Sequence, residues 1–160
     1  MSAMPSSDGV ARSRHYVAPG QIFVSASPAA VTTILGSCIA VCLWDPRMRV
    51  GGMNHFMLPQ FANAGVASPR FGNVAMDQLI EQMRLAGARL PLLQARVYGG
   101  SCMFEQMQSP TGHLGQKNAT LALEFLRRHA IDIVDTAVGG TRGRRLTFHT
   151  DEGTACLKLI

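Results

Sequence analysis

The stretch TTILGSCIAVCLWDPRMRVGGMNHFMLP, Thr32 to Pro59, holds two apolar runs separated by a turn signal. Leu35-Gly36-Ser37 reads as a turn that delivers Cys38 to the first run, Ile39 to Trp44. Asp45-Pro46-Arg47-Met48 reads as a reversing loop, because Asp and Pro suit the opening positions of a turn. The second run, Val50 to Leu58, carries one ionisable side chain, His55. A hairpin closed over residues 45–48 sets Trp44 opposite Arg49 and, by the same count, Cys38 opposite His55. Opposed side chains of an antiparallel pair have Cβ atoms roughly 4.5–5.5 Å apart, so thiol and imidazole become neighbours. A slip of one residue sends one of them to the other face.

The thiolate is the nucleophilic form of cysteine, and a nearby His can take its proton or stabilise the anion, holding the thiol below its ordinary ~8.5. Two plainer readings compete: free Cys is among the most buried residue types, and a lone His in an apolar run can be a hydrogen-bonded core residue. Gly36 before the Cys and the Gly51-Gly52 pair favour a site, since strand glycines mark close approach of a ligand or another backbone. A Cys38/Cys42/His55 metal centre has suitable ligand types but lacks a fourth ligand, so neither metal nor cofactor is expected.

At 160 residues the chain fits one domain with a substantial core. An apolar fraction of 47% with 16% charged residues excludes a disordered chain. The net charge of +5 allows an acidic partner surface or a merely solvated basic one. No RNP-like aromatic set, helix-turn-helix signal or zinc-finger spacing points to nucleic acid. The four cysteines, Cys38, Cys42, Cys102 and Cys156, are too scattered for a disulfide scaffold. The first residues lack the apolar core of a secretory signal, and no apolar stretch approaches the ~20 residues of a bilayer span. A cytoplasmic chain is therefore expected.

Residues 1–18 read as a flexible tail, ahead of one domain over 19–160. Gln21–Ala26 reads as a short strand and Val31–Leu35 as an extended lead into the hairpin. After Pro59 a loop rich in Asn, Gly, Ser and Pro is expected, ending near Arg70. The spacing of Met76, Leu79, Ile80 and Met83 predicts a helix over 73–86, capped by Asn73 and ended by Gly87. A strand follows over 93–98, stopped by Gly99-Gly100-Ser101, whose backbone N–H groups could meet an anion. A second helix, 116–129, buries Leu121, Ala122, Phe125 and Leu126. Ile131–Val138 reads as a strand leading to a Gly-Arg loop, Gly139–Arg145, taken as a hairpin tip. Leu146–Thr150 and Thr154–Ile160 pair across Asp151-Glu152-Gly153. Two helices among many strands imply a mixed α/β fold, a layered β-sandwich with helices packed outside.

LGSCIAVCLWD followed by GGMNHFMLP resembles the CheD chemoreceptor glutamine deamidases of bacterial chemotaxis. The resemblance continues through MDQLIEQMRLAGA, ARVYGGSCMF, GQKNATLALEFL and VGGTRGRRLTFHTDEG, from about Gly20 to the end. It implies a Cys nucleophile, a His base and an upstream Thr, at Cys38, His55 and Thr32. Thr33 stands next to Thr32, and a shift of one residue exchanges the two. One departure is Ala137-Val138, where the family often has an acidic residue before its GG-x-x-GR block. The resemblance further implies a protein-glutamine glutaminase acting through a Cys38 thioester on the cytoplasmic helices of methyl-accepting chemoreceptors, with the CheC phosphatase as a second partner. The alternative is a regulatory module that docks CheC with little or no hydrolase activity. A metal-binding protein is a third.

Overall fold

A computed structural model of the chain describes residues 3–5, 9–61, 67–104 and 112–160. The apolar run after Cys38 forms β5 (Ile39–Asp45), numbered after β1 (Ala3–Pro5), β2 (Ala11–Tyr16), β3 (Ile22–Ser25) and β4 (Ala29–Leu35). All of β5 is buried except the half-buried Trp44. Cover on both faces explains why the run is continuously apolar instead of alternating. Ile39, Val41 and Leu43 enter one core, whereas Ala40 and Cys42 enter another.

Those two cores separate three layers. The inner sheet has the order β3-β6-β5-β7-β8, with β6 (Val50–Asn54), β7 (Gln94–Gly99) and β8 (Asp132–Val138). Helices α1 (Gly72–Leu85) and α2 (Leu114–Arg128) cover one of its faces, burying Met76, Leu79, Met83, Phe125 and Leu126. The outer sheet, β1-β2-β4-β9-β10, covers the opposite face, with β9 (Arg144–His149) and β10 (Thr154–Leu159). Val31, Leu35, Leu146 and Phe148 fill the space between the sheets. This is a single mixed α/β domain, a layered β-sandwich with its helices outside.

The hairpin forms, but its register differs from the count made on sequence. Asp45 pairs with Val50, Trp44 with Gly51 and Cys42 with Met53, and an isolated bridge joins Ile39 to Phe56. Asp45 stays in the ladder because its side chain organises the turn: Oδ1 accepts from Arg47 N at 2.9 Å and Met48 N at 3.2 Å. Its Oδ2 accepts from Arg89 N at 2.7 Å. The loop thus begins one residue later, and Arg49 closes it with φ 54°. Opposed pairs move by two positions, so face parity survives. Cys38 and His55 lie on one face as diagonal neighbours instead of directly opposite. Gly51 and Gly52 do mark close approach: a Cβ on Gly51 would lie 2.6 Å from Thr150 Cα, and one on Gly52 2.6 Å from Val24 Cγ2.

Three further expectations are corrected. Residues 11–16, assigned to a flexible tail, form β2, which pairs in parallel with β4. Arg12 on β2 is 2% exposed and grips Asp151 through Nε–Oδ1 at 2.8 Å and Nη2–Oδ2 at 3.0 Å. The Gly-Arg loop is not a hairpin tip, because β8 and β9 lie in different sheets; residues 139–143 cross between layers. Arg144 braces that crossing by donating to Gly99 O at 3.1 Å and Gly139 O at 2.7 Å. Asn73 does not cap α1, which starts from Phe71 without a side-chain cap; its Oδ1 accepts from Phe61 N. Part of the 60–70 loop, residues 62–66, lies outside the described residues.

Candidate active site

Leu35 ends a strand of the outer sheet and Ile39 begins one of the inner sheet, so residues 36–38 carry the chain between layers. Their carbonyls are each held from one side. Gly36 O accepts from Ser101 N at 2.9 Å, Cys38 O accepts from Gly100 N at 2.9 Å, and Ser37 O accepts from Asn118 Nδ2 at 3.0 Å. Among the described residues none of the N–H groups of Gly36, Ser37 and Cys38 donates a hydrogen bond. Holding successive carbonyls leaves those donors available to an incoming oxyanion. The Gly100 and Ser101 N–H groups are consumed in building this turn, instead of meeting an anion themselves. Gly99 and Gly100 have φ values of 111° and 69°, and a Cβ on Gly99 would collide with Cys38 O. Only glycine fits there.

His55 is 2% exposed, and its Nδ1 lies 2.8 Å from Thr33 Oγ1. Thr33 Oγ1 donates to Val17 O at 2.6 Å. A hydroxyl has one proton, and the carbonyl can only accept, so Thr33 must accept from His55 Nδ1–H. The neutral ring therefore carries its proton on Nδ1 and its lone pair on Nε2. Nε2 is buried and has no hydrogen-bond partner among the described residues. An oriented imidazole with a free basic nitrogen is the arrangement a general base needs.

Of the sequence-selected trio, Cys38 and His55 come to the same inter-sheet face, and Thr32 does not join them. Odd-numbered residues of β4 point inward, as Val31 and Leu35 show. Thr32 points outward, where its Oγ1 lies 3.3 Å from Thr147 Oγ1. Its neighbour Thr33, fully buried, is the threonine that reaches His55. The Val17 carbonyl gave no sequence signal. Asn118 gave a faint one, a polar residue inside the buried stripe Gly115, Ala119, Ala122 of α2.

Cys38 is half-buried and packs against the inter-sheet core. Burial pushes its thiol above the ordinary range. Burial likewise holds the His55 imidazolium below its ordinary value, opposed by the Val17 carbonyl. Both shifts favour the neutral pair, contrary to the depressed thiol expected from a His neighbour. Cys42 is wholly buried, Cys102 donates to Phe104 O at 3.2 Å, and Cys156 is exposed on β10. Among the described residues no three His, Cys, Asp or Glu side chains are grouped to hold a metal ion.

A cavity of about 190 Å³ opens beside the Gly36–Cys38 turn, lined by Ser37, Ser101, Cys102, Met103, Phe104 and Leu114 among others. A wider hollow of about 360 Å³ lies between Pro59 and the outer side of α2, away from the Cys38–His55 pair.

Residues 57–159 match the model of a family described as CheD chemotactic sensory transduction. The chain belongs to the CheD family. It is 47% identical over 152 residues to a probable chemoreceptor glutamine deamidase CheD 1 of Anaeromyxobacter dehalogenans, covering 95% of this chain and 88% of the relative. It is 38% identical to a probable chemoreceptor glutamine deamidase CheD of Sulfurimonas denitrificans, covering 92% and 94% of the two chains. A Trichlorobacter lovleyi relative of the same description is 40% identical over 96% of this chain and 95% of its own. Among solved structures the chain is similar to a Neisseria meningitidis DUF152 protein, with TM-score 0.48, 13% identity, and coverage of 75% and 53%. The CheD family match starts two residues after His55, so the likeness to these relatives, not the family model, covers the hairpin that carries Cys38.

Proposed function

We propose that this CheD chain is a protein-glutamine deamidase in which Cys38 is the nucleophile and His55 the general base, with Thr33 holding the base in its working tautomer. The observation that carries this reading is the commitment of His55 Nδ1 to Thr33, which leaves Nε2 unpartnered on the Cys38 face. Cys38 Sγ–H gives its proton to Nε2 as sulfur attacks the side-chain carbonyl carbon of a glutamine. The oxyanion is received by N–H groups of residues 36–38, where one such donor is typically worth ~2.7–4 kcal/mol. Collapse breaks the C–N bond, and the His55 proton leaves on ammonia. Water then gives a proton to Nε2 and attacks the thioester. Release of Cys38, reprotonated by His55, leaves glutamate.

The relatives' descriptions support a chemoreceptor as substrate, and its cytoplasmic helices would be met in the cytoplasm. Among the described residues no helix is long and apolar enough to cross a membrane. Docking of the CheC phosphatase is a second reading, favoured by Met103 and Phe104, which are 50% and 61% exposed at the rim of the cavity beside Ser37. Mass spectrometry of receptor fragments incubated with the protein tests the first reading. Gln-to-Glu conversion and an acid-trapped adduct on Cys38 are expected. Fragments left unchanged while CheC binds would favour docking.

A further inference from the structure

Asn118 is the only side chain among the described residues that hydrogen-bonds both arms of the candidate site. Its Nδ2 donates to Ser37 O at 3.0 Å and to Met57 O at 2.9 Å. Ser37 immediately precedes the nucleophile. Met57, by the register of the Ile39–Phe56 bridge, is the residue opposite Cys38. The amide thus spans the hairpin at the level of the thiol, from a helix that packs on the far face of the sheet. It is fully buried, and its Oδ1 has no hydrogen-bond partner among the described residues. Only the donor end is used. That selectivity separates it from a core Asn satisfied on all sides. Ser37 is also the middle peptide of the three whose carbonyls are held, the other two by backbone N–H groups of Gly100 and Ser101. Among the described residues Asn118 is therefore the one side chain that holds a carbonyl of this turn.

We propose that Asn118 is a positioning residue for the deamidation, locking the Gly36–Cys38 turn so that its N–H groups face the oxyanion. It touches no reacting atom, and it rests on the reading of Cys38 as nucleophile. Two reactions of the same thiol separate the roles. Alkylation of Cys38 by iodoacetamide is a substitution at carbon that builds no carbonyl oxyanion; deamidation builds one. In Asn118→Leu, kcat for deamidation of a receptor fragment should fall ~10²-fold, the scale of losing one oxyanion donor. KM and the Cys38 alkylation rate should stay within a few-fold of wild type. Asn118→Asp keeps the size but replaces the donor by an acceptor facing two carbonyls, and should show the same split. It serves as the readout should the Leu variant not fold. Asn118→Ser, which retains one donor, should recover part of the loss.

Unchanged kcat in the Leu or Asp variant would overturn the proposal. So would a parallel fall of deamidation and alkylation, the pattern of a merely structural residue. Wild-type protein that alkylates at Cys38 but deamidates nothing would overturn the parent reading instead, and the Asn118 proposal with it.

Discussion

Thr33 Oγ1 lies between His55 Nδ1, 2.8 Å away, and Val17 O, 2.6 Å away, and has only one proton to give. Because the carbonyl takes that proton, the ring must donate from Nδ1, and the tautomer of a buried histidine is set by a backbone group 38 residues away. Thr33→Val should lower kcat about 10–100-fold, by analogy with losses on removing groups that orient metal-bound histidines. It should also cost ~1–3 kcal/mol, because Val17 O and Nδ1 lose their partner inside the protein. Thr32→Val, on the outer face, should change kcat little. Steady-state kinetics and thermal unfolding of both variants check this; equal losses would contradict the assignment of Thr33.

The proposed nucleophile is separable from the other thiols. Cys38→Ala should abolish deamidation and leave folding nearly intact. Cys42→Ala, Cys102→Ala and Cys156→Ala should each retain activity, although Cys42 is wholly buried and its loss should lower the melting temperature. Full activity in Cys38→Ala would rule out the thioester route.

Burial of the site gives a pH signature. With the Cys38 thiol held above the ordinary range, its alkylation rate should still be climbing above pH ~8.5, where a free thiol is half ionised. The His55 value is depressed, so the base is already neutral at pH 7, and the acid limb of kcat/KM should fall below ~6.5. The sign for stability follows from the same shift. Between the depressed folded value and ~6.5 the unfolded chain binds more protons, so stability is fully present above ~6.5 and is lost as pH falls through that window. His55→Asn should remove this component and slow deamidation ~10²–10⁴-fold. Unfolding and rate profiles against pH, for wild type and variant, read both effects.

The N-terminal strand is expected to be structural. Arg12 and Asp151 are both almost wholly buried, and Glu152 adds a contact at 2.9 Å to Arg12 Nη2. Burial pushes the Asp151 carboxyl up, but Arg12's hydrogen bond and charge, with backbone and His149 contributions, outweigh it and hold it below the usual range. That contribution is present above pH ~3.9 and lost as pH falls through the folded value. Arg12→Ala leaves the buried Asp151 carboxylate with only the exposed Arg49 guanidinium, 3.8 Å away, and should cost ~3–5 kcal/mol. Deleting residues 1–18 should destabilise at least as much, since it also removes β2 and Val17. A truncated protein with wild-type unfolding would restore the picture of a flexible tail.

The sequence alone determined the apolar run of β5, the turn at Asp45, both helices, the closing hairpin and the shared face of Cys38 and His55. Each of these depends on a local period or a turn residue, and a two-residue error in register leaves strand parity unchanged. Tertiary structure decided which threonine serves the histidine. Thr32 and Thr33 are equivalent as side chains and differ only in face, and that face is fixed when β4 packs its odd residues on the inner sheet. It also decided that residues 11–16 form a strand, because Arg12 meets its carboxylate 139 residues further along. The same holds for the Gly-Arg crossing, the Val17 carbonyl and Asn118. Their partners are brought together by packing between layers, for which neither periodicity nor spacing along the chain carries a signal.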